Sequence, residues 1–151
     1  MPHTQEEEFM QGSRLNVNIR RVAVGTVLAA TAALALPASA TAAPVGGSST
    51  TGCSRASGVY TYEKTGETST YDTYDAYFDI TVSDRCSGDG WAASLYLSYR
   101  KYSGGVWSWK SMQRVKTNGN YNTTLHNVQG VQINVCDYYP DRAPRGCQRI
   151  W

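Results

Sequence analysis

Apolar and polar residues alternate with a period of two along three stretches of the chain. In "AYFDITVSD", Ala76, Phe78, Ile80 and Val82 fall on one face and Tyr77, Asp79, Thr81 and Ser83 on the other. "AASLYLSYRKY" sets Ala93, Leu95, Leu97 and Tyr99 against Ser94, Tyr96, Ser98 and Arg100. "VQINVCD" sets Val131, Ile133 and Val135 against Gln132, Asn134 and Cys136. Such alternation predicts strands with one packed and one wet face, as in antiparallel sheet. Weaker strands are predicted in "SGVYTYEK", "VWSWKSMQRV" and "YNTTLHNV". Turn signals separate them: Thr65-Gly66, Ser87-Gly88-Asp89-Gly90, Ser103-Gly104-Gly105, Asn118-Gly119 and Gln129-Gly130. No stretch past Pro44 carries a helical period. The expectation is an all-β fold, a small antiparallel β-sandwich of six or seven strands. Its core is expected to hold Phe78, Ile80, Val82, Leu95, Leu97, Val131, Ile133 and Val135.

The chain before Pro44 has a different texture. Val22 to Leu36 is apolar and uncharged, with Arg14, Arg20 and Arg21 ahead of it and Ala38-Ser39-Ala40 behind it. A basic flank, a short apolar run and a small-x-small site predict a secretory signal peptide over residues 1–42, cut after Ala40 or Ala42. The run is short for a membrane span of about 20 residues. Glu6, Glu7 and Glu8 are unusual ahead of such a flank, and a start at Met10 gives a more ordinary beginning. Residues 43–52, small and polar, read as a flexible leader. Residues 53–151 then form a single domain. No membrane contact is expected after cleavage.

All four cysteines, Cys53, Cys86, Cys136 and Cys147, follow the cleavage region. An even count in an exported chain reads as two disulfides. Three connectivities are open. The nearest-neighbour one, Cys53–Cys86 with Cys136–Cys147, is the expectation, each loop contributing roughly 3 kcal/mol on the chain-entropy model. By parity Cys136 falls on the wet face, so its bond is expected to staple the surface end of a hairpin. No C-x-x-C pair occurs and His126 is the single histidine of this part, so no metal is expected.

Candidate chemistry is sparse. Past Ala40, Lys and Arg number 11 against 9 Asp and Glu. That balance is too weak for an obligate nucleic-acid binder. His126 is the one candidate general base, and nothing in the spacing brings an acid or nucleophile to it. Glu63, Glu67, Asp72, Asp75 and Asp79 fall at polar strand positions, where solvated charge is the ordinary explanation. No hydrolase elbow, zinc-protease helix or phosphate loop is present. No cofactor and no catalytic residue is expected, and a small secreted hydrolase remains an alternative only.

The aromatics stand out. The chain has 11 tyrosines and 4 tryptophans, more than so small a core can bury. The tryptophans are expected in the core and several tyrosines at the surface, where large rigid rings make contact at low entropic cost. Tyr138, Tyr139, Arg142 and Arg145, in the loop closed by Cys136 and Cys147, form one expected partner-binding patch. Tyr71, Tyr74 and Tyr77 form a second. The same loop offers Arg142-Ala143 and Arg145-Gly146 as bait for a trypsin-like protease, so a secreted protease inhibitor is the alternative reading.

The signal peptide, the Ala/Thr-rich processing region and the ending "VQGVQINVCDYYPDRAPRGC" resemble small secreted two-disulfide β-sandwich proteins of streptomycetes. Among these the chain is similar to the adaptor subunits of umbrella toxin particles. That resemblance implies a non-enzymatic chain joining a lectin subunit to a larger scaffold, and it carries over no catalytic residues. The expectation is a secreted, non-catalytic protein-binding module whose partner is another secreted protein or a larger extracellular assembly. Carbohydrate is an open alternative ligand.

Overall fold

The computed structural model describes residues 40–151. Nearly all of the expected signal peptide, including Met10, therefore lies outside the described residues. Seven strands follow in order: β1 Thr41–Ser48, β2 Ser54–Glu67, β3 Asp72–Asp84, β4 Ala92–Ser103, β5 Val106–Thr117, β6 Gly119–Tyr138 and β7 Arg145–Arg149. Every pairing is antiparallel, in the order β1-β2-β3-β6-β4-β5, with β7 also on β6.

One strand joins the two layers. The first half of β6 pairs with β3 up to Val128, and the second half pairs with β4 from Val128 onward. Asn127 (φ 52°) and Gly130 (φ 62°) turn the chain between the halves. The expected break at Gln129-Gly130 is thus a bend inside one 20-residue strand. It folds the sheet so that the inward faces of β2, β3, β4 and β6 meet in one apolar cluster. All eight expected core residues are buried in it, joined by Val45, Ala56, Tyr60, Ala76, Ala93 and Val128. Burial, with neighbouring Tyr62, pushes the Tyr60 hydroxyl up to about 12.

Two corrections concern residues judged polar or loose. The segment 43–52 is not a free leader, because Thr41–Ser48 pairs residue by residue with Arg55–Tyr62 and buries Val45. Gly47 serves close approach: a Cβ on it would lie 2.5 Å from Ile150 Cγ2. The disulfides are Cys53–Cys86 and Cys136–Cys147. Cys136, however, is fully buried, as are Ser94, Tyr96 and Ser98 on the same outward parity. Alongside these residues β5 carries two bulges where it pairs with β4. At one of them the Met112 amide donates to Ser98 Oγ (2.9 Å), and beyond the other Ser94 Oγ and Thr117 Oγ1 share a 2.8 Å hydrogen bond.

The strands give the molecule two ends. Both disulfides, the β1–β2 turn and β7 lie at one end. The β2–β3 and β4–β5 hairpin turns and the β6 bend lie at the other.

Candidate functional site

At the disulfide end, Asp137 follows Cys136 in β6 and is completely buried. Ser54 Oγ donates to its Oδ1 (2.7 Å) and Thr51 Oγ1 to its Oδ2 (2.6 Å). Arg145 Nε lies 3.5 Å from Oδ2. Burial pushes this carboxyl up, but hydrogen bonds from Ser54, Thr51 and Ser49 and the Arg145 charge outweigh it and hold it below the usual carboxylate range. The Thr50 amide donates to the Gly146 carbonyl beside it (2.8 Å). This is a structural lock tying the β1–β2 turn to β6 and β7.

The first expected patch lies at that corner, with Tyr139, Arg142 and Arg145 exposed and Tyr138 half-buried. Arg145 lies 3.7 Å over the Trp91 ring, with Asp89 3.6 Å from its Nη2. Tyr139 packs on Trp91 (5.6 Å between centroids) and carries the Arg142 guanidinium 4.7 Å above its ring. Tyr138 is covered by Arg114 at 3.8 Å. The two arginine bonds are not offered as an open extended strand. Arg145-Gly146 is inside β7, paired to β6, and Arg142 closes a tight turn in which its amide donates to the Tyr139 carbonyl (3.3 Å).

The second patch is not one surface. Tyr74 and Tyr77 point to opposite faces of β3. Tyr74 packs edge-on against Tyr62 (5.8 Å) and lines an apolar groove of 200 Å³ with Tyr60, Val128–Val131 and Trp151. Tyr77 is exposed on the outside of β3. Tyr71 lies in the β2–β3 hairpin and meets residues of β4 and β5.

That meeting forms an aromatic cleft open to solvent. The two-residue turn Gly104-Gly105 sets the β4–β5 register so that Tyr102 faces Trp107 and Arg100 faces Trp109. Trp107 contacts Tyr102 (5.1 Å) and Tyr71 edge-on (5.6 Å), and its indole N–H donates to Thr68 Oγ1 (3.1 Å). The Arg100 guanidinium lies 4.4 Å over the Tyr71 ring. Tyr71, Arg100, Trp107, Ser108 and Trp109 line a cleft of 330 Å³. Contrary to expectation the tryptophans are not core residues: Trp109 is 49% exposed and Trp151 38%. Farther along the same face Arg114 stands opposite Tyr96, so this face of β4 and β5 carries both arginines and aromatic rings. Burial pushes the Tyr96 phenol up, partly offset by Arg114.

Charge sharpens the contrast between the ends. β4 and β5 carry Arg100, Lys101, Lys110, Arg114 and Lys116 and no Asp or Glu. Among the described residues Arg100 has no carboxylate partner, whereas Arg145 has two. Sequence reading passed over this band because period-two alternation ranks single strands. The signal was present in the acid-free run from Ala92 to Thr117 and in the turn that fixes the register.

The structure also brings together one pair that spacing did not. His126 Nδ1 lies 2.7 Å from Asp75 Oδ2, and the Asn127 amide donates to Asp75 Oδ1 (3.3 Å). The imidazole is exposed, and no Ser, Thr or Cys hydroxyl or thiol is hydrogen-bonded to it among the described residues. Here the pair pins the positive-φ bend of β6. Among the described residues no three of His, Cys, Asp and Glu gather as a metal site. No protein-family model, curated protein or solved structure matches the chain.

Proposed function

We propose that the chain is an exported, non-catalytic protein-binding module, of the kind an adaptor subunit in an extracellular assembly would be, and that it docks its partner through the outer face of β4 and β5. The observation that carries this reading is the Arg-and-aromatic band around Arg100, Trp107 and Trp109. Trp, Tyr and Arg are the residue types that dominate interface energetics, because each combines a large contact area with a polar handle. Two disulfides fit an oxidising compartment. The resemblance to umbrella-toxin adaptors supports the same reading from the sequence side.

Two results are expected. N-terminal sequencing of exported protein should begin at Thr41, because a cut after Ala40 keeps every β1 pair, whereas one after Ala42 removes Thr41↔Tyr62 and Ala42↔Thr61. Affinity purification of the tagged protein from its native culture medium should recover a larger secreted protein in stoichiometric amount. The double variant Arg100→Ala/Trp109→Ala should bind that partner at least about thirtyfold more weakly, the equivalent of ~2 kcal/mol for a hot spot. A monomer with no companion, or a hydrolytic activity lost in His126→Ala, would refute the reading.

A further inference from the structure

Resting on that reading, we infer that β5 is an acceptor edge for an acidic, extended segment of the partner, which adds to the sheet as a further strand. Among the described residues β5 pairs with β4 alone, so its other side has no strand neighbour there. A two-residue turn makes Ser103 and Val106 a hydrogen-bonded pair, and the alternation of an antiparallel ladder then assigns the next such pairs to Lys101–Ser108 and Tyr99–Lys110. The main-chain N–H and C=O of Trp107 and Trp109 therefore point away from β4. They are the groups a new strand would use.

Edge strands are usually blunted by bulges and lysines. Both bulges of β5 fall beyond Lys110, and the first five residues, Val106 to Lys110, run without one. Val106 is 66% exposed there. The occupant follows from charge. A second copy of β5 would set Lys110, Arg114 and Lys116 against the same cations and no carboxylate, which is repulsive across a strand pair. Most carboxylates of β2 and β3 are already engaged, Asp72 and Glu67 with Lys64, Asp75 with His126, Asp79 with Asn120 and Asp84 with the Cys86 amide, and Glu63 alone has no such partner among the described residues. A segment alternating carboxylates with apolar residues would put its acids on the face that carries Arg100 and Arg114 and its main chain along Trp107 and Trp109.

A fluorescent decapeptide of alternating Glu and Val tests this against a Lys–Val peptide of the same length, with the purified protein. Binding of the acidic peptide alone is expected, weakened tenfold or more by Arg100→Glu. It should be weaker in Trp109→Pro than in Trp109→Ala, since proline also removes the outward N–H. Wild-type hydrogen exchange at the Trp107 and Trp109 amides should slow when the acidic peptide is bound. Equal binding of the basic peptide, binding of neither, no slowing at those two amides, or peptide-independent dimerisation through β5 would each overturn the inference. If the natural partner is still lost in Arg100→Ala/Trp109→Ala while the acidic peptide fails, the docking face stands and strand addition falls. If the partner is retained by that variant, both fall.

Discussion

Asp137→Ala should destabilise the protein by about 3 kcal/mol in denaturant unfolding, because removing a buried carboxylate leaves the hydrogen-bond donors turned toward it without their acceptor. The buried carboxylate accepts from buried Ser54 and, toward the surface, from Thr51, with the half-exposed Arg145 beside it. Removing it leaves two hydroxyls without their acceptor and a guanidinium with one carboxylate neighbour instead of two. Asp137→Asn keeps an acceptor but not the charge, and should fall between the variant and the wild type. The direction with pH follows from the lowered pKa of the folded state. The contribution is fully present above the unfolded-state pKa of about 3.9 and is lost as pH falls through the folded value. Wild-type stability should therefore drop with acidification below roughly pH 4, while Asp137→Ala should show a flatter profile there. Equal acid sensitivity of the two proteins would show that Asp137 is not a major source of the loss.

Gly58→Ala should cost about 3 kcal/mol, at the upper end for overpacking. Gly58 faces Ile80 in the β2–β3 ladder. A Cβ there would lie 2.0 Å from the Asp79 carbonyl oxygen and 2.7 Å from Ile80 Cα. Both are main-chain atoms of the adjoining strand, so relief requires the ladder to part. Gly46→Ala is the control. Its nearest neighbour would be the Ala56 carbonyl oxygen at an ordinary 3.6 Å, and the loss of unfolded-state freedom should leave it neutral or more stable by up to about 0.5 kcal/mol. Similar midpoints for the two variants would show that the strands at Gly58 tolerate more separation than their register implies.

How much of this was legible in the sequence depended on how local the cause was. The alternation in β3, β4 and the second half of β6 located the eight core residues directly, since each strand's parity is written in consecutive letters. The cysteine pairing was one of three the count allowed, and the nearest-neighbour expectation is the one found. The strand β1 was not legible, because Gly46 and Gly47 read as looseness until Ile150, from the far end of the chain, is seen packed on Gly47. Asp137 was equally opaque: its donors lie 83 and 86 residues earlier. The Arg100–Trp109 pairing lay between these cases. Counting outward from the two-residue turn at Gly104-Gly105 gives it, but only once "SGGV" is taken as a hairpin with fixed register.

The bent strand β6 has a kinetic consequence. One continuous segment completes both layers, so neither can close until residues from Tyr74 to Tyr138 have found each other. Chains dominated by such non-local pairings fold on the millisecond-to-second scale. A translocation route that accepts only unfolded polypeptide would find this chain still open behind the ribosome. The same strand couples the layers when the protein unfolds, because releasing β6 from β3 strips one wall from the core that β4 also needs. Urea unfolding followed by tryptophan fluorescence, which reports β4, β5 and the C-terminus, should coincide with far-ultraviolet dichroism of the whole sheet in a single transition.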